Sequence, residues 1–341
     1  MAIVGGFDVH RQQITFDYLD SDSGEVRRGQ VRPATRESLR KWLERFSGRA
    51  DVAFAVEGCT GWRFVVEELQ RVGLEAHLAE PADTAALRGK KKRAKTDRAD
   101  ARHQRELLAT GRLPESWIPP GHVLEWRARG RLYVVLMADR RAWSQRIHAT
   151  LFHHGAPAQA DVLSAEGRGR LAAADLPPAA HQRLTAALTM IDHLDDQIIP
   201  LRAEFGRYSR QQPGCRALRE RHYGIGSLTS VVIWAEMGDT RRFSSSRQAV
   251  RHTGLDVTVH SSDGKRSRGR LSHQGPPTLR WALFEAAQTA ARANSPDHDY
   301  YRTVRDRQGA NRAALSVCRR LACQVHHTLR ELGDEAWVAV G

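Results

Sequence analysis

DVAFAVE, residues 51–57, is a nearly continuous apolar run that closes on a carboxylate. Apolar side chains at consecutive positions suit a central strand covered on both faces, because a half-exposed strand would alternate. Upstream, IVGGFDV at residues 3–9 has the same character and carries Asp8 near its end. A second extended run covers Ile14 to Leu19, the DSDSG stretch at 20–24 is a turn, and a third run follows near Val26 to Val31, which together read as a β-meander. Between the meander and residue 51, Leu39, Trp42, Leu43 and Phe46 mark a helical face, with Thr35 as N-cap and Ser38 and Arg40 on the wetter side. Downstream, TGWRFVVEELQRVG at 60–73 is an amphipathic helix with Phe64, Val65, Leu69 and Val72 inside and Gly73 as its stop, and EAHLAE at 75–80 makes another short strand. Three meander strands followed by alternating helices and strands predict an α/β unit, a mixed sheet with helices on its faces. If the strands that carry Asp8 and Glu57 are adjacent and parallel, both carboxylates emerge at one edge of the sheet, where open α/β sheets keep their sites.

The whole chain has 341 residues, enough for two domains or one large one with a real core, which excludes a disulfide-stapled miniature fold. Its 53 Lys and Arg against 39 Asp and Glu give a net charge of +14, while 41% hydrophobic residues mark a folded chain. A polyanionic partner is the first candidate. Cys59, Cys215, Cys318 and Cys323 are scattered without zinc-knuckle spacing and fit a reduced interior. There is no apolar run long enough for a membrane span, and MAIVGGFDVHRQQ lacks a basic leader. The expectation is a cytoplasmic, bacterial-type protein that meets nucleic acid and no membrane.

RGKKKRAKTDRADARHQR, residues 88–105, holds nine Lys or Arg and two acids. Asp97 and Asp100 are three apart, so on a helix they share a face and can point at one ion. Lys90, Lys91, Lys92, Arg93 and Lys95 lack interleaved aromatics and suit phosphate contact rather than base reading. The middle of the chain is helical, with Leu132, Leu136, Trp143, Ile147 and Leu151 recurring along one segment and residues 155–180 forming a loop with short helical pieces. Leu184, Ile191, Ile198 and Phe205 then recur every seven residues, with Ala187, Leu194 and Leu201 three further on. Such a heptad seam either joins a second protomer or folds back on 132–152 as an antiparallel hairpin, and the pattern does not choose. GIGSLTSVVIWAEMGD at 224–239 places a Gly-Ile-Gly turn before an apolar helix, like half of a helix-hairpin-helix element. VTVHSSDGKRSRGRLSHQG at 257–275 is a polar loop in which a serine pair precedes Lys265, Arg266, Arg268 and Arg270, suited to hold a phosphate near a hydroxyl. A basic helix pair is expected from Thr303 to Leu332.

Asp8, Glu57, Asp97 and Asp100 converge if these elements pack as read. Two Mg²⁺ ions about 4 Å apart need such a set of hard oxygen donors with open positions. Each acid alone also has an ordinary reading as a turn residue, a helix cap or a solubilising charge. His10, His103 and His273 lie near these positions and are expected to be packed or phosphate-contacting.

FDVH at 7–10, VEGCTGW at 56–62 and AKTDRADA at 94–101 resemble, in order and spacing, the N-terminal nuclease domain of the DEDD-type transposases of bacterial insertion sequences. GIGSLTSVVIWAEMGDTRRF, the HTGL piece, HSSDGKRSRGRLSHQG and LRWALFEAA are similar to the C-terminal domain of the same family, so the resemblance covers about residues 3–292. It implies an RNase H-like, Holliday-junction-resolvase-like domain over residues 1–120, a helical hairpin or coiled coil for oligomerisation over 121–210, and a mainly helical C-terminal domain over 211–341. It also implies that Asp8, Glu57, Asp97 and Asp100 bind Mg²⁺ and that Ser261 is a covalent nucleophile toward DNA. A structured bridge RNA would choose donor and target DNA, and dimers would assemble into a tetramer with active sites shared between protomers. The serine pair is followed by Asp263 where the family usually has glycine, and Tyr223 precedes GIG where proline is common. The first departure leaves Ser262 open as the alternative nucleophile.

Three functions compete. A recombinase working through a phosphoserine link accounts for the acids, the serine loop and the lack of an ATP-binding GKS or GKT motif. A metal-dependent junction or RNase H-like nuclease leaves the serine loop idle. A non-catalytic nucleic-acid-binding protein explains the charge alone.

Overall fold

A computed structural model describes residues 2–88, 96–257, 269 and 271–340, together with the backbone of 261–262 and 265–266. Its internal contacts divide the chain into two compact units, Met1–Ile118 and Pro119–Gly341.

In the first unit, β1 (Ile3–Val9), β2 (Ile14–Asp20) and β3 (Val26–Val31) form the expected meander. They are followed by α1 (Arg36–Leu43), β4 (Val52–Glu57), α2 (Trp62–Arg71), β5 (Glu75–Ala79), α3 (Pro81–Ala86), α4 (Asp97–Ala109) and the two-residue β6 (Glu115–Ser116). The strand order is β3-β2-β1-β4-β5-β6, with β1, β4 and β5 mutually parallel and the remaining pairs antiparallel. This is the mixed sheet that the alternation of elements predicts, and it is consistent with an RNase H-like domain.

The two faces of the sheet are built differently. On one, Phe7, Phe16, Tyr18 and Phe54 pack with Trp42 and Phe46, the Phe7 and Phe54 rings stacking at 4.6 Å. Helix α1 reaches this core because Thr35 caps it, the hydroxyl accepting from the Ser38 amide at 3.3 Å. Helix α2 ends before Gly73, whose φ of +77° is the left-handed conformation that stops a helix. Its buried stripe keeps the expected Val65 and Leu69, with Phe64 and Val72 packed at the margin of the core, and adds Val66. Glu68 is buried because Arg36 and Arg40 bond its carboxylate at 3.1 to 3.2 Å.

The opposite face is small and polar. Gly6 stands in register with Ala55 on β4 and Asp17 on β2, and Asp17 with Arg28 on β3. Helix α4 packs on this side, against β1, β2 and β4. A Cβ at Gly6 would lie 2.2 Å from the Ala101 carbonyl oxygen and 2.7 Å from the Arg105 amide nitrogen, so a glycine is what admits the helix. Arg105 reaches from α4 to the buried Asp17 carboxylate at 2.6 Å and ties the helix to the sheet.

The second unit is mainly helical: α5 (Gly121–His153), α6 (Ala165–Ala172), α7 (Pro178–Gln211), α8 (Pro213–Arg221), α9 (Ser227–Met237), α10 (Ser246–His252), α11 (Pro277–Gln288), α12 (His298–Gln308) and α13 (Ala310–Leu332), with the short strands β7 (Ser261–Ser262) and β8 (Lys265–Arg266). The heptad stripe lies on α7 and is covered within the chain. Helix α5 runs antiparallel along it, as the ion pairs Arg140–Asp195 and Arg129–Glu204 fix. Leu184, Ala187, Ile191, Ile198, Leu201 and Phe205 are buried, and Leu194 is half-buried. On α5 the inward face is carried by Val123, Trp126, Tyr133, Ile147 and Leu151, whereas Leu132, expected inside, is 50% exposed. Helix α9 is buried from Ser230 to Met237, which explains its lack of a polar side. Among the described residues no helix is long and apolar enough to cross a membrane.

Candidate metal centre and serine hairpin

Parallel pairing of β1 with β4 sets Phe7 opposite Val56, so Asp8 and Glu57 come next at the same end of neighbouring strands. Asp97 and Asp100 occupy the first turn of α4, where Thr96 caps the helix by accepting from the Ala99 amide at 3.2 Å. Because α4 lies on the Gly6 side of the sheet, its first turn is carried to the strand ends. His10, just beyond β1, puts Nε2 3.1 Å from Asp8 Oδ2 and 3.4 Å from Asp97 Oδ1. One ligand atom from each of Asp8, His10 and Asp97 lies within 4.8 Å of the other two. Gln13 orients Asp97 by donating from Nε2 to Oδ2 at 3.0 Å.

The other two acids are engaged beside this group. Asp100 is buried and its carboxylate accepts from the Arg88 guanidinium, while Glu57 accepts from Gln104 Nε2 at 3.3 Å. Burial pushes the Asp8 carboxyl above its ordinary value, His10 opposes that shift, and the charges of Asp100 and Asp97 add to it. The structure thus clusters Asp8 and Asp97 with His10 and brings the Asp100 charge within reach of Asp8. Glu57 shares the strand edge but not the cluster. Two facing carboxylates and an imidazole, with the Asp100 charge nearby, suit a hard divalent cation such as Mg²⁺ or Mn²⁺, whose charge would oppose the burial and like-charge repulsion that hold the Asp8 carboxyl up. Of the other histidines, His103 is packed with Nε2 3.2 Å from the Thr84 carbonyl oxygen. The sequence reading missed Gln13, Gln104 and Arg88. Gln104 had a signal, since it is four residues beyond Asp100 and so on the same helical face.

In the second unit, β7 and β8 pair antiparallel with Ser261 opposite Arg266 and Ser262 opposite Lys265, so the serine pair stands on one arm of a hairpin. Asp263, Gly264, Arg268 and Arg270 lie outside the described residues, as do Lys90, Lys91, Lys92, Arg93 and Lys95. The base of the loop is firmly tied. Val257 bridges Leu271, the Ser272 amide donates to the Asp256 carbonyl at 3.0 Å, and the His273 amide to the Gly254 carbonyl at 3.2 Å. Arg280 Nη1 donates to the carbonyl oxygens of Thr253, His273 and Gly275 at 3.3, 3.4 and 2.6 Å, and Arg319 Nε to that of Leu255 at 2.7 Å. Gly254, at φ +69°, leaves room for this closure, since a Cβ there would lie 2.9 Å from the Gly275 nitrogen. Tyr223, the departure from proline, donates its hydroxyl to Asn294 at 2.8 Å.

Residues 5–154 match a model described as a transposase, of the DEDD type of IS110 elements, and residues 216–302 match that of the transposase IS116/IS110/IS902 family. The chain is a DEDD transposase of the IS110/IS116 family. An IS110-family transposase acts in transposition and DNA recombination, and the matched stretches take in all four acids and the serine hairpin. The chain is 25% identical over 286 residues to a "probable family 20 transposase" of Pseudomonas aeruginosa, covering 79% of this chain and 81% of the relative. It is 26% identical over 241 residues to the transposase for insertion sequence element IS1328 of Yersinia enterocolitica, covering 69% of each.

Proposed function

We propose that this IS110-family transposase excises and inserts its element by metal-dependent strand cleavage and exchange through a 5′-phosphoserine link at Ser261. The reading rests on one observation above all: two chemistries that a simple nuclease would not need together, an acidic cluster at Asp8 and Asp97 and a clamped serine hairpin, occur in one chain. Asp8, Glu57, Asp97 and Asp100 would hold Mg²⁺, as two ions, with His10 available as a nitrogen ligand. When bound, the ions lower the pKa of the attacking hydroxyl and offset charge on the leaving oxygen. Gln13 and Gln104 keep Asp97 and Glu57 oriented, and Arg88 neutralises Asp100. Ser261 Oγ loses its proton to solvent as it bonds to phosphorus, the P–O3′ bond breaks, and the released 3′-oxygen takes a proton. Attack by the exchanging 3′-hydroxyl then returns the hydroxyl to serine. One phosphoester replaces another at each step, so no nucleotide cofactor is required. Lys265, Arg266, Arg268 and Arg270 offset phosphorane charge, and Lys90, Lys91, Lys92, Arg93 and Lys95 follow the nucleic-acid backbone.

Donor and target DNA are the substrates, and a structured bridge RNA supplies their sequence by pairing, as the family resemblance implies. A dimer assembles into a tetramer on two DNA partners, with the serine of one protomer serving the acids of another. Mass spectrometry of the digested protein–DNA adduct tests the reading. A phosphonucleotide mass on Ser261 supports it, and the same mass on Ser262 moves the nucleophile by one residue. A Ser261→Ala protein that still releases free 5′-phosphate would hand the function to a plain junction nuclease. Retardation of DNA without cleavage by the wild type would indicate a binding protein alone.

A further inference from the structure

Beside the acidic cluster, on the same side of the sheet, α4 and the edge strand β3 enclose a cleft of about 390 Å³ lined by Asp17, Arg28, Gly29, Arg98, Ala99 and Arg102. Asp17 is 1% exposed at its floor, and its carboxylate is shared by Arg28 Nε at 2.7 Å and Arg105 Nε at 2.6 Å. Arg102 is answered by Glu106 at 2.6 Å. Arg98 has no carboxylate partner among the described residues. Two carboxylates therefore face four guanidinium groups, and the cleft keeps a surplus of two positive charges. Arg28 and Arg102 also remain 52% and 57% exposed in their side chains, so their free N–H groups are accessible from solvent.

The placement gives this surplus a direction. Arg98 follows Asp97 directly, and Arg102 lies five residues along α4, about 7.5 Å at 1.5 Å per residue. A strand whose scissile phosphate sits at Asp8 and Asp97 would bring a neighbouring phosphate over these arginines. Guanidinium forks match a phosphodiester, which accepts two parallel N–H bonds on its two free oxygens.

We propose that the cleft between α4 and β3 seats a backbone phosphate of the DNA strand being cut, with Arg98 as its principal ligand and Arg28 and Arg102 beside it. The inference rests on the reading of the acidic cluster as the cleavage site, and it adds a fixed register for the strand. Arg98 is a positioning residue: it holds the strand while other groups do the chemistry.

Binding is measured by fluorescence anisotropy with the full chain in a metal chelator, so that cleavage cannot interfere, on a four-way DNA junction and on an RNA duplex over a range of salt. Arg98→Ala should lower the slope of log K against log salt on DNA by about 0.9, the value for one lost phosphate contact. Arg27→Ala is the matched control, because Arg27 neighbours Arg28 on β3, points to the other side of the sheet and carries the same charge. Its slope should stay at the wild-type value. Equal slopes for Arg98→Ala and the wild type, equal losses for Arg98→Ala and Arg27→Ala, or a loss seen on RNA alone would each overturn the proposal. Adduct formation is scored separately. A wild type that forms no adduct would remove the serine reading and leave the slope result standing on its own.

Discussion

Gly6 decides where half of the proposed metal centre sits, and replacing it with alanine tests that directly. The added Cβ would meet the Ala101 carbonyl oxygen at 2.2 Å and the Arg105 nitrogen and Gln104 Cβ at 2.7 Å, the first two being backbone atoms of α4 that cannot rotate away. Ordinary contact begins near 3.4 Å, so the helix has to retreat by about 1.2 Å or tilt. Overpacking of this kind costs about 1–3 kcal/mol. The geometric effect is larger than the energetic one, because Asp97 and Asp100 travel with α4 while Asp8 stays on β1. A displacement near 1 Å costs about 10²-fold in rate when a reactive geometry is lost. Gly6→Ala should therefore lower the melting temperature modestly, weaken Mn²⁺ binding in calorimetry by at least tenfold, and cut strand cleavage by about two orders of magnitude. Gly29→Ala is the control, since its Cβ would press on the Phe16 ring at 2.7 Å, on the aromatic side of the sheet. It should lose stability and keep its metal affinity. A Gly6→Ala protein with wild-type melting and metal binding would refute the account of how α4 is seated.

Three further outcomes are expected. The Asp8 carboxyl is held above its ordinary 3.8 by burial and by Asp100, so the metal-free folded chain binds a proton there more readily than the unfolded one and loses stability as pH rises past 3.8. Asp8→Asn should accordingly melt higher than wild type at neutral pH in chelator, with the difference closing below about pH 3.8, and equal melting at pH 7 would contradict the shift. Arg280→Ala removes the donor shared by three loop carbonyls, so covalent adduct should fall at least tenfold while DNA affinity stays within a few-fold; undiminished adduct would show that the clamp does not position the serine. Mixing Ser261→Ala with Asp8→Asn protein should restore part of the activity, and complete inactivity in a verified mixed assembly would place the whole site within one chain.

The strands were readable because apolar runs between turn residues have few other fates, and Asp8 and Glu57 followed from assuming that two such runs pair in parallel. What escaped depends on partners distant in sequence. Glu68 looks like a solvent residue on α2 until Arg36 and Arg40 arrive from α1 and cover it. On α2 the expected Val65 and Leu69 are buried and Phe64 and Val72 pack at the margin of the core, while Val66 joins the buried set because it and Phe64 are equally apolar and the pattern alone does not rank them. The α7 heptads could not reveal their partner, since a hairpin and a dimer bury the same side chains. Gly5-Gly6 inside a strand was a legible sign of close backbone approach, yet nothing local says that α4 is what approaches. The Arg280 clamp has no pattern at all, being one side chain against backbone carbonyls that every residue possesses.

The two-sided sheet also governs how such a protein can drift. Side chains on the aromatic side are constrained mainly by volume, so that exchanges among large apolar residues at Phe16, Trp42 or Phe54 can compensate one another through repacking. On the side of α4 there is almost no volume to exchange: Gly6, Ala53 and Ala55 are already near the minimum, and the buried Asp17 and Asp100 each depend on arginine partners. The aromatic side should therefore tolerate more exchange than the side that carries the proposed metal site. A mutational library that varies the aromatic side should yield many folded, active members, whereas one of equal size on the α4 side should yield few.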